Sequence, residues 1–330
     1  YYKYEDENTL TFYNNYNDMN NKKNKLSLQK LTSPMADNSN KSAIALLLRL
    51  LLLFAVCALI ATFLSSLVSL FMSRIIDIQT NMIYLKSMQT FLELGMFMVP
   101  ALIFASNNAQ GINNYWGFKQ KQSWMSILSV IVLFFVAMPM VSWLVIVNES
   151  IKFPESMQML EKALKSMQDS ATEMTEKFLN VSTIGGILGN IFVMAIVPAV
   201  SEELFFRGCI QKTLTDRMRN KFLAIAVSAF IFSAAHMEFY GLIPRFILGI
   251  ILGYVFYYTG NILMSMLLHF INNSIAVIAG FMQFHSNNGV EPETVFTNPS
   301  AWMIVASVVL TVGMMIFLGR NRKTKLSPLM

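Results

Sequence analysis

The sequence predicts an all-α fold, a polytopic membrane bundle of about eight transmembrane helices. Three observations carry this. Of 330 residues, 55% are hydrophobic and only 13% are charged, whereas a soluble domain carries about 25% charged residues. The apolar residues gather into runs that reach the roughly 20 residues a helix needs to cross the hydrocarbon core. Polar turns, most of them basic, separate the runs. The net charge of +6 sits on residues that flank apolar runs, which is an orientation signal, so no nucleic-acid partner is expected. Cys57 and Cys209 both lie inside apolar runs and give neither a disulfide framework nor a CxxC pair.

Residues 1–41 are rich in Asn, Asp, Lys and Tyr without periodicity, which predicts a disordered polar tail. Met35, in Met35-Ala36-Asp37-Asn38, is the expected start, with the stretch before it an extension. The first apolar run is about twice the length of a signal-peptide core, so no cleavable signal is expected. Helices are then predicted over 43–72 and over 82–105, where Glu93 and Pro100 fall inside the second. Glu93 is expected to face a helix neighbour. A basic loop with Lys119 and Lys121 leads to a third helix at 124–147.

Residues 148–182 leave the membrane. Met157, Leu160, Leu164, Met167, Ala171, Met174 and Phe178 recur three and four apart, which predicts an amphipathic helix over 154–180 with a narrow apolar seam. It is expected to pack on the rim of the bundle. The fourth apolar run starts at Ile184 and holds Glu202, Glu203 and Arg207, and the basic residues Lys212, Arg217, Arg219 and Lys221 follow. The fifth, sixth and seventh helices are predicted at about 222–237, 242–258 and 262–283, with Gly249 and Gly253 allowing close packing in the sixth. The eighth covers 301–318 and is followed by the basic run from Arg320 to Lys325.

Eight crossings put both termini on one side, together with every basic loop. The positive-inside rule makes that side the cytoplasm. The segment 149–182, with six acids against four lysines, falls on the other side.

Ionisable groups within hydrocarbon cost several kcal/mol each and persist when paired or functional. Glu202 lies 18 residues before Asn220 and His236 lies 16 after it. At 1.5 Å per residue both rise roughly 24–27 Å from that turn, provided the fourth helix continues through Arg207. His269 and Asn273 rise about 13 and 19 Å from Gly260, and helix tilt absorbs the remainder. Glu203 and Arg207 are four apart, as are Phe232 and His236, and His269 and Asn273. Three helices are therefore expected to converge on one buried polar site, with Glu203 and Arg207 forming a salt bridge.

A carboxylate beside a histidine suits activation of a water, all the more in a low-dielectric pocket. A second histidine with an asparagine suits donation to a developing oxyanion. The set fits peptide-bond hydrolysis. No Gly-x-Ser-x-Gly elbow and no His-Glu-x-x-His is present. A divalent metal such as zinc is the open alternative, held by Glu202, His236 and His269.

At these residues the chain resembles the CAAX protease and bacteriocin-processing family of intramembrane proteases, which includes the type 2 CAAX prenyl endopeptidases. The family pattern of Glu-Glu-x-x-x-Arg, Phe-x-x-x-His and His-x-x-x-Asn is met by Glu202-Glu203-Leu204-Phe205-Phe206-Arg207, Phe232-Ser233-Ala234-Ala235-His236 and His269-Phe270-Ile271-Asn272-Asn273. The resemblance implies that Glu202 is the base, assisted by His236, and that Glu203 and Arg207 hold the local structure. It implies an oxyanion site at His269 and Asn273, and an opening towards the cytoplasm. Both metal-dependent and metal-independent chemistry have been described for the family.

The organisation expected is a tail at 1–41, a bundle at 42–319 with its catalytic core at 185–283, and a basic cytoplasmic tail at 320–330. The expected partners are the lipid bilayer and a membrane-associated protein or peptide substrate. The expected location is a bacterial cytoplasmic membrane. The alternatives are a non-catalytic immunity or scaffold protein and, third, a transporter, for which no inverted repeat is visible.

Overall fold

The computed structural model describes residues 42–108, 110–151, 153–285 and 299–326. The expectation of a disordered tail over 1–41 lies outside them. Helix α1 is Ala43–Met72 and begins at Ser42, whose hydroxyl accepts from the Ala45 N–H. Helix α2 is Met82–Ser106 and is capped in the same way by Asn81. Helix α3 is Trp124–Glu149. All three carry large apolar side chains outward, among them Leu59, Phe91 and Phe135, as lipid contact requires.

Helix α4, Gln158–Leu179, lies between α3 and helix α5, Ile184–Arg217. Helix α6 is Lys221–Ala235, helix α7 is Leu242–Thr259, helix α8 is Ile262–Phe284 and helix α9 is Ala301–Leu326. Seven of these helices are long and apolar enough to cross a membrane. The chain is an all-α integral membrane protein.

The fifth expected crossing, α6, has 15 residues. It rises roughly 22 Å, less than the roughly 30 Å hydrocarbon core. A helix that starts at one interface with Lys221 therefore ends inside the bilayer, and His236 is the residue at its end.

Two helices change pitch. α2 has a π turn at Leu94–Met98 and α5 has one at Phe192–Ile196. Each sits just before a proline, Pro100 or Pro198, whose missing N–H frees a carbonyl one turn back and shifts the ladder. In α3 the rung beside Pro139 is bridged from α9. The Met140 N–H donates to Ser307 Oγ at 3.2 Å, and that hydroxyl donates to the Val136 carbonyl at 2.6 Å.

The core forms in two parts. One joins α1, α2 and α5 around Leu50, Phe104 and Phe206. The other joins α3, α7, α8 and α9 around Leu133, Leu252 and Leu268. α5 contacts both α2 and α8, so its polar residues lie between the two halves.

The amphipathic helix forms as expected, but most of its seam finds no packing partner. Of the seam residues only Phe178 is buried, Leu164 is half-buried and the rest are exposed. Packing is concentrated at its C-terminal end, where Leu179 fills the space left by Gly280 of α8. On its outer face the Lys177 ammonium, 2.8 Å from Glu173, holds that carboxyl below its usual range.

Candidate active site

The depth count required α5 to continue through Arg207, and it does, ending at Arg217. Its pitch is not uniform. Residues Glu203–Gln211 form a π-helix, a local widening frequent at functional sites. All nine of its residues are buried, although they include Glu203, Arg207 and Gln211.

That burial is made possible by α7. Gly249 and Gly253 bring its backbone close to α5, so that Arg207 Nη2 donates to the Gly249 carbonyl at 3.4 Å and Gln211 Nε2 to the Gly253 carbonyl at 2.8 Å. A Cβ at Gly253 would stand 2.4 Å from Gln211 Oε1. The two glycines therefore do more than permit close packing: they expose carbonyls to two side chains that need acceptors.

Arg207 Nη1 lies 2.8 Å from Glu203 Oε1, the expected ion pair, with both side chains at 1% exposure or less. The Arg207 guanidinium also stacks 4.0 Å from the Phe232 ring centroid, a cation–π contact in a desolvated setting. Glu203 further accepts from the Ser265 hydroxyl and from His269 Nδ1, the latter at 2.9 Å. A carboxylate only accepts, so the Nδ1 of His269 carries a proton and Nε2 faces away from Glu203.

His236 ends α6. Its Nδ1 lies 2.8 Å from the Phe232 carbonyl, which again fixes the proton on Nδ1 and leaves Nε2 outward. Phe232 meets the His236 and His269 rings edge-on at 4.9 and 5.9 Å. It therefore spaces Arg207 and both imidazoles at once. The chain turns sharply after His236, with Met237 at φ 56°, a left-handed conformation costing a side-chain-bearing residue roughly 1–3 kcal/mol. The turn is held from two sides. Ser233 donates to the Leu242 carbonyl at 2.6 Å, and buried Asn148 of α3 donates to the Phe239 carbonyl at 2.9 Å and accepts the Ile243 N–H at 2.7 Å.

Both imidazoles face Glu202. Its Oε2 is 3.8 Å from His236 Nε2 and 4.0 Å from His269 Nε2, and it accepts no hydrogen bond from the protein. These separations are too long for direct hydrogen bonds and suit a bridging water. Asn273 lies one turn beyond His269. Its Oδ1 accepts from Asn272 Nδ2 at 3.0 Å, so its own Nδ2 is left as a donor.

These groups meet at a cavity of about 550 Å³. Glu202, His236, His269 and Asn273 line it with the apolar side chains of Val193, Pro198, Phe232, Leu248 and Val277. Among the described residues no group of three or more His, Cys, Asp or Glu side chains is placed to hold a metal ion.

Residues 184–275 match the family model described as type II CAAX prenyl endopeptidase Rce1-like. This segment is similar to that family. The match spans all three motifs and supports the resemblance to the CAAX protease and bacteriocin-processing family. At the level of family, the match supports a CAAX-type intramembrane protease. No curated protein and no solved structure matches the chain.

Three residues around the Rce1-like site escape sequence reading. Arg245 lines the cavity and pairs with Glu238 at 2.5 Å. It is a lone cation in an apolar run, the same signal that singled out Glu202. Asn148 follows directly on the third apolar run and carries no signal of its own. Ser265 is one more small residue in an apolar helix. Glu93, by contrast, faces α5 as expected and accepts from the Ser201 hydroxyl at 2.8 Å.

The cavity lies in the half of the bundle where α4 lies, and Ala171, Met174 and Thr175 of α4 form an exposed part of its wall. The basic residues Lys119, Lys121, Lys212 and Lys221 belong to turns at the other end, because α5 and α8 each run the length of the bundle between them.

Proposed function

We propose that the chain is an intramembrane endopeptidase that hydrolyses a peptide bond in a membrane-associated protein or peptide. The observation carrying this is the position of Glu202 Oε2, unbonded by protein and facing the Nε2 atoms of His236 and His269 at 3.8 and 4.0 Å.

In this reading a water sits between Glu202 and His236. One of its hydrogens points to the carboxylate and the other to the imidazole Nε2, which is the acceptor because Nδ1 holds the proton against Phe232. The lone pair that remains is directed at the scissile carbonyl carbon. Glu202 takes a proton as the oxygen–carbon bond forms. The carbonyl oxygen becomes an oxyanion, stabilised by Asn273 Nδ2 and by His269 where its Nε2 carries a hydrogen. Collapse breaks the carbon–nitrogen bond, and the proton on Glu202 passes to the leaving amine. Glu203 and Arg207 hold the frame and exchange no proton with the substrate.

The apolar walls fit a hydrophobic peptide segment. The basic loops and both termini are assigned to the cytoplasmic side by the charge distribution, which puts the cavity at the outer end.

Comparing membrane neo-termini between wild type and Glu202→Gln tests this reading. The product termini are expected to disappear in Glu202→Gln and in His236→Ala. Wild-type cleavage by purified Glu202→Gln in liposomes would overturn it.

A further inference from the structure

We propose that Arg245 anchors the substrate by binding one of its carboxylates, so that the enzyme selects peptides carrying an acidic group at a fixed distance from the scissile bond. The inference rests on the endopeptidase reading and adds to it a recognition element outside the three motifs.

Arg245 stands in the first turn of α7 and lines the cavity with His236 and Asn273. Among the described residues lining that cavity it is the one arginine or lysine. Apolar walls make such a group costly unless it is paired. Its pairing is incomplete. Nη2 meets Glu238 Oε2 at 2.5 Å, while Nη1 is buried and makes no hydrogen bond. A guanidinium is a rigid fork that matches a carboxylate with two parallel bonds. If Arg245 served only to neutralise Glu238, the two-armed pairing would satisfy both. A buried charged donor left over costs more than the roughly 1–3 kcal/mol of a neutral one, and at a cavity wall it offers a place for the acceptor of a ligand.

The backbone is shaped to present this fork. A Cβ at Gly241 would stand 3.0 Å from Nη2 and 3.1 Å from Nη1, so the guanidinium lies flat against a residue that has no side chain. The same turn is clamped by Asn148, which keeps Arg245 in register with His236. Glu202 and Glu238 give this wall negative charge, so an acidic substrate group is repelled everywhere except at Nη1. That makes the site selective as well as attractive.

Two sources of carboxylate fit, the C-terminus of a peptide and an Asp or Glu side chain. The test uses the full-length protein in liposomes with a panel of fluorescence-quenched apolar peptides. Each is made with a free C-terminus, with a C-terminal amide, with one Glu, and with Gln in its place. Wild type is expected to prefer one acidic form over its amide by roughly 10–100-fold in kcat/KM, mostly through KM. Which pair shows the preference identifies the source. Arg245→Gln is expected to flatten that ratio, and Arg245→Lys to keep part of it. Thermal unfolding of the variants checks their folding. Binding of the same peptides to Glu202→Gln, which holds substrate without turnover, provides an independent reading of the preference. Equal cleavage and equal binding of all four forms by protein that does cleave would overturn the anchor alone. Absence of any cleavage dependent on Glu202 would overturn the endopeptidase reading instead.

Discussion

Glu203 holds the ring of His269: its Oε1 accepts from Nδ1 at 2.9 Å while the same oxygen lies 2.8 Å from Arg207 Nη1. One carboxylate therefore serves two purposes, balancing a buried cation and fixing the tautomer of an imidazole. The two can be separated. Glu203→Gln is expected to destabilise the protein by about 3–5 kcal/mol, because Arg207 is left buried without its counter-charge, and to lower cleavage by about 10²-fold or more. Adding Arg207→Met removes the stranded charge. Thermal unfolding of the double variant in detergent should recover much of the lost stability, while its cleavage stays low because His269 still lacks its carboxylate. Recovery of both together would show that Glu203 acts through stability alone.

The distances around Glu202 bear on metal dependence. Both imidazoles are tethered through Nδ1, to the Phe232 carbonyl and to Glu203, which leaves both Nε2 atoms facing Glu202, an arrangement that serves a water or a metal ion equally. Direct activation of the water by Glu202, as proposed, predicts that cleavage by purified protein continues unchanged in EDTA and in 1,10-phenanthroline. Loss of activity that returns with added zinc would contradict this.

The cavity and the basic turns occupy opposite ends of the bundle, which sets up a labelling experiment. In a background with Cys57 and Cys209 replaced by Ser, Thr175→Cys on the cavity wall and Lys119→Cys in the basic loop are expected to react with a membrane-impermeant maleimide from opposite sides. Right-side-out and inverted vesicles distinguish the two. Labelling of both positions from one side would refute the arrangement.

Much of the fold was legible because hydrocarbon imposes a simple length rule, and α1, α2, α3 and α5 begin at the expected residues. The pairs Glu203–Arg207 and Phe232–His236 were legible because a four-residue spacing survives small changes of pitch. The π-helix at Glu203–Gln211 was not, since no residue pattern there differs from that of an α-helix. It accompanies the contacts of Arg207 and Gln211 with carbonyls on α7, which are tertiary. The seam of α4 misled in a different way. Its spacing predicts a helix correctly, but whether Leu160 or Met167 finds a partner depends on where α8 ends. Arg245 was visible in the sequence as a charge in an apolar run. What could not be read was its orphaned Nη1, which depends on the path of the turn after His236.

Asn148 offers the last test, since it acts on the site from a different helix. It is 1% exposed, and its amide closes on the turn from both sides, to the Phe239 carbonyl and the Ile243 N–H. That turn contains the left-handed Met237 and separates His236 from Arg245. Asn148→Leu removes both bonds and leaves a buried carbonyl and N–H unpaired, a cost of about 1–3 kcal/mol for each group. Thermal unfolding in detergent should register that loss. The kinetic effect discriminates further. If Asn148 only stabilises the fold, cleavage below the unfolding temperature stays at the wild-type level. If it positions the turn, kcat falls because His236 shifts relative to Glu202, and KM rises because Arg245 shifts with it. The expected result is both changes in one variant, with Asn148→Asp intermediate because it keeps the acceptor for Ile243 and loses the donor for Phe239.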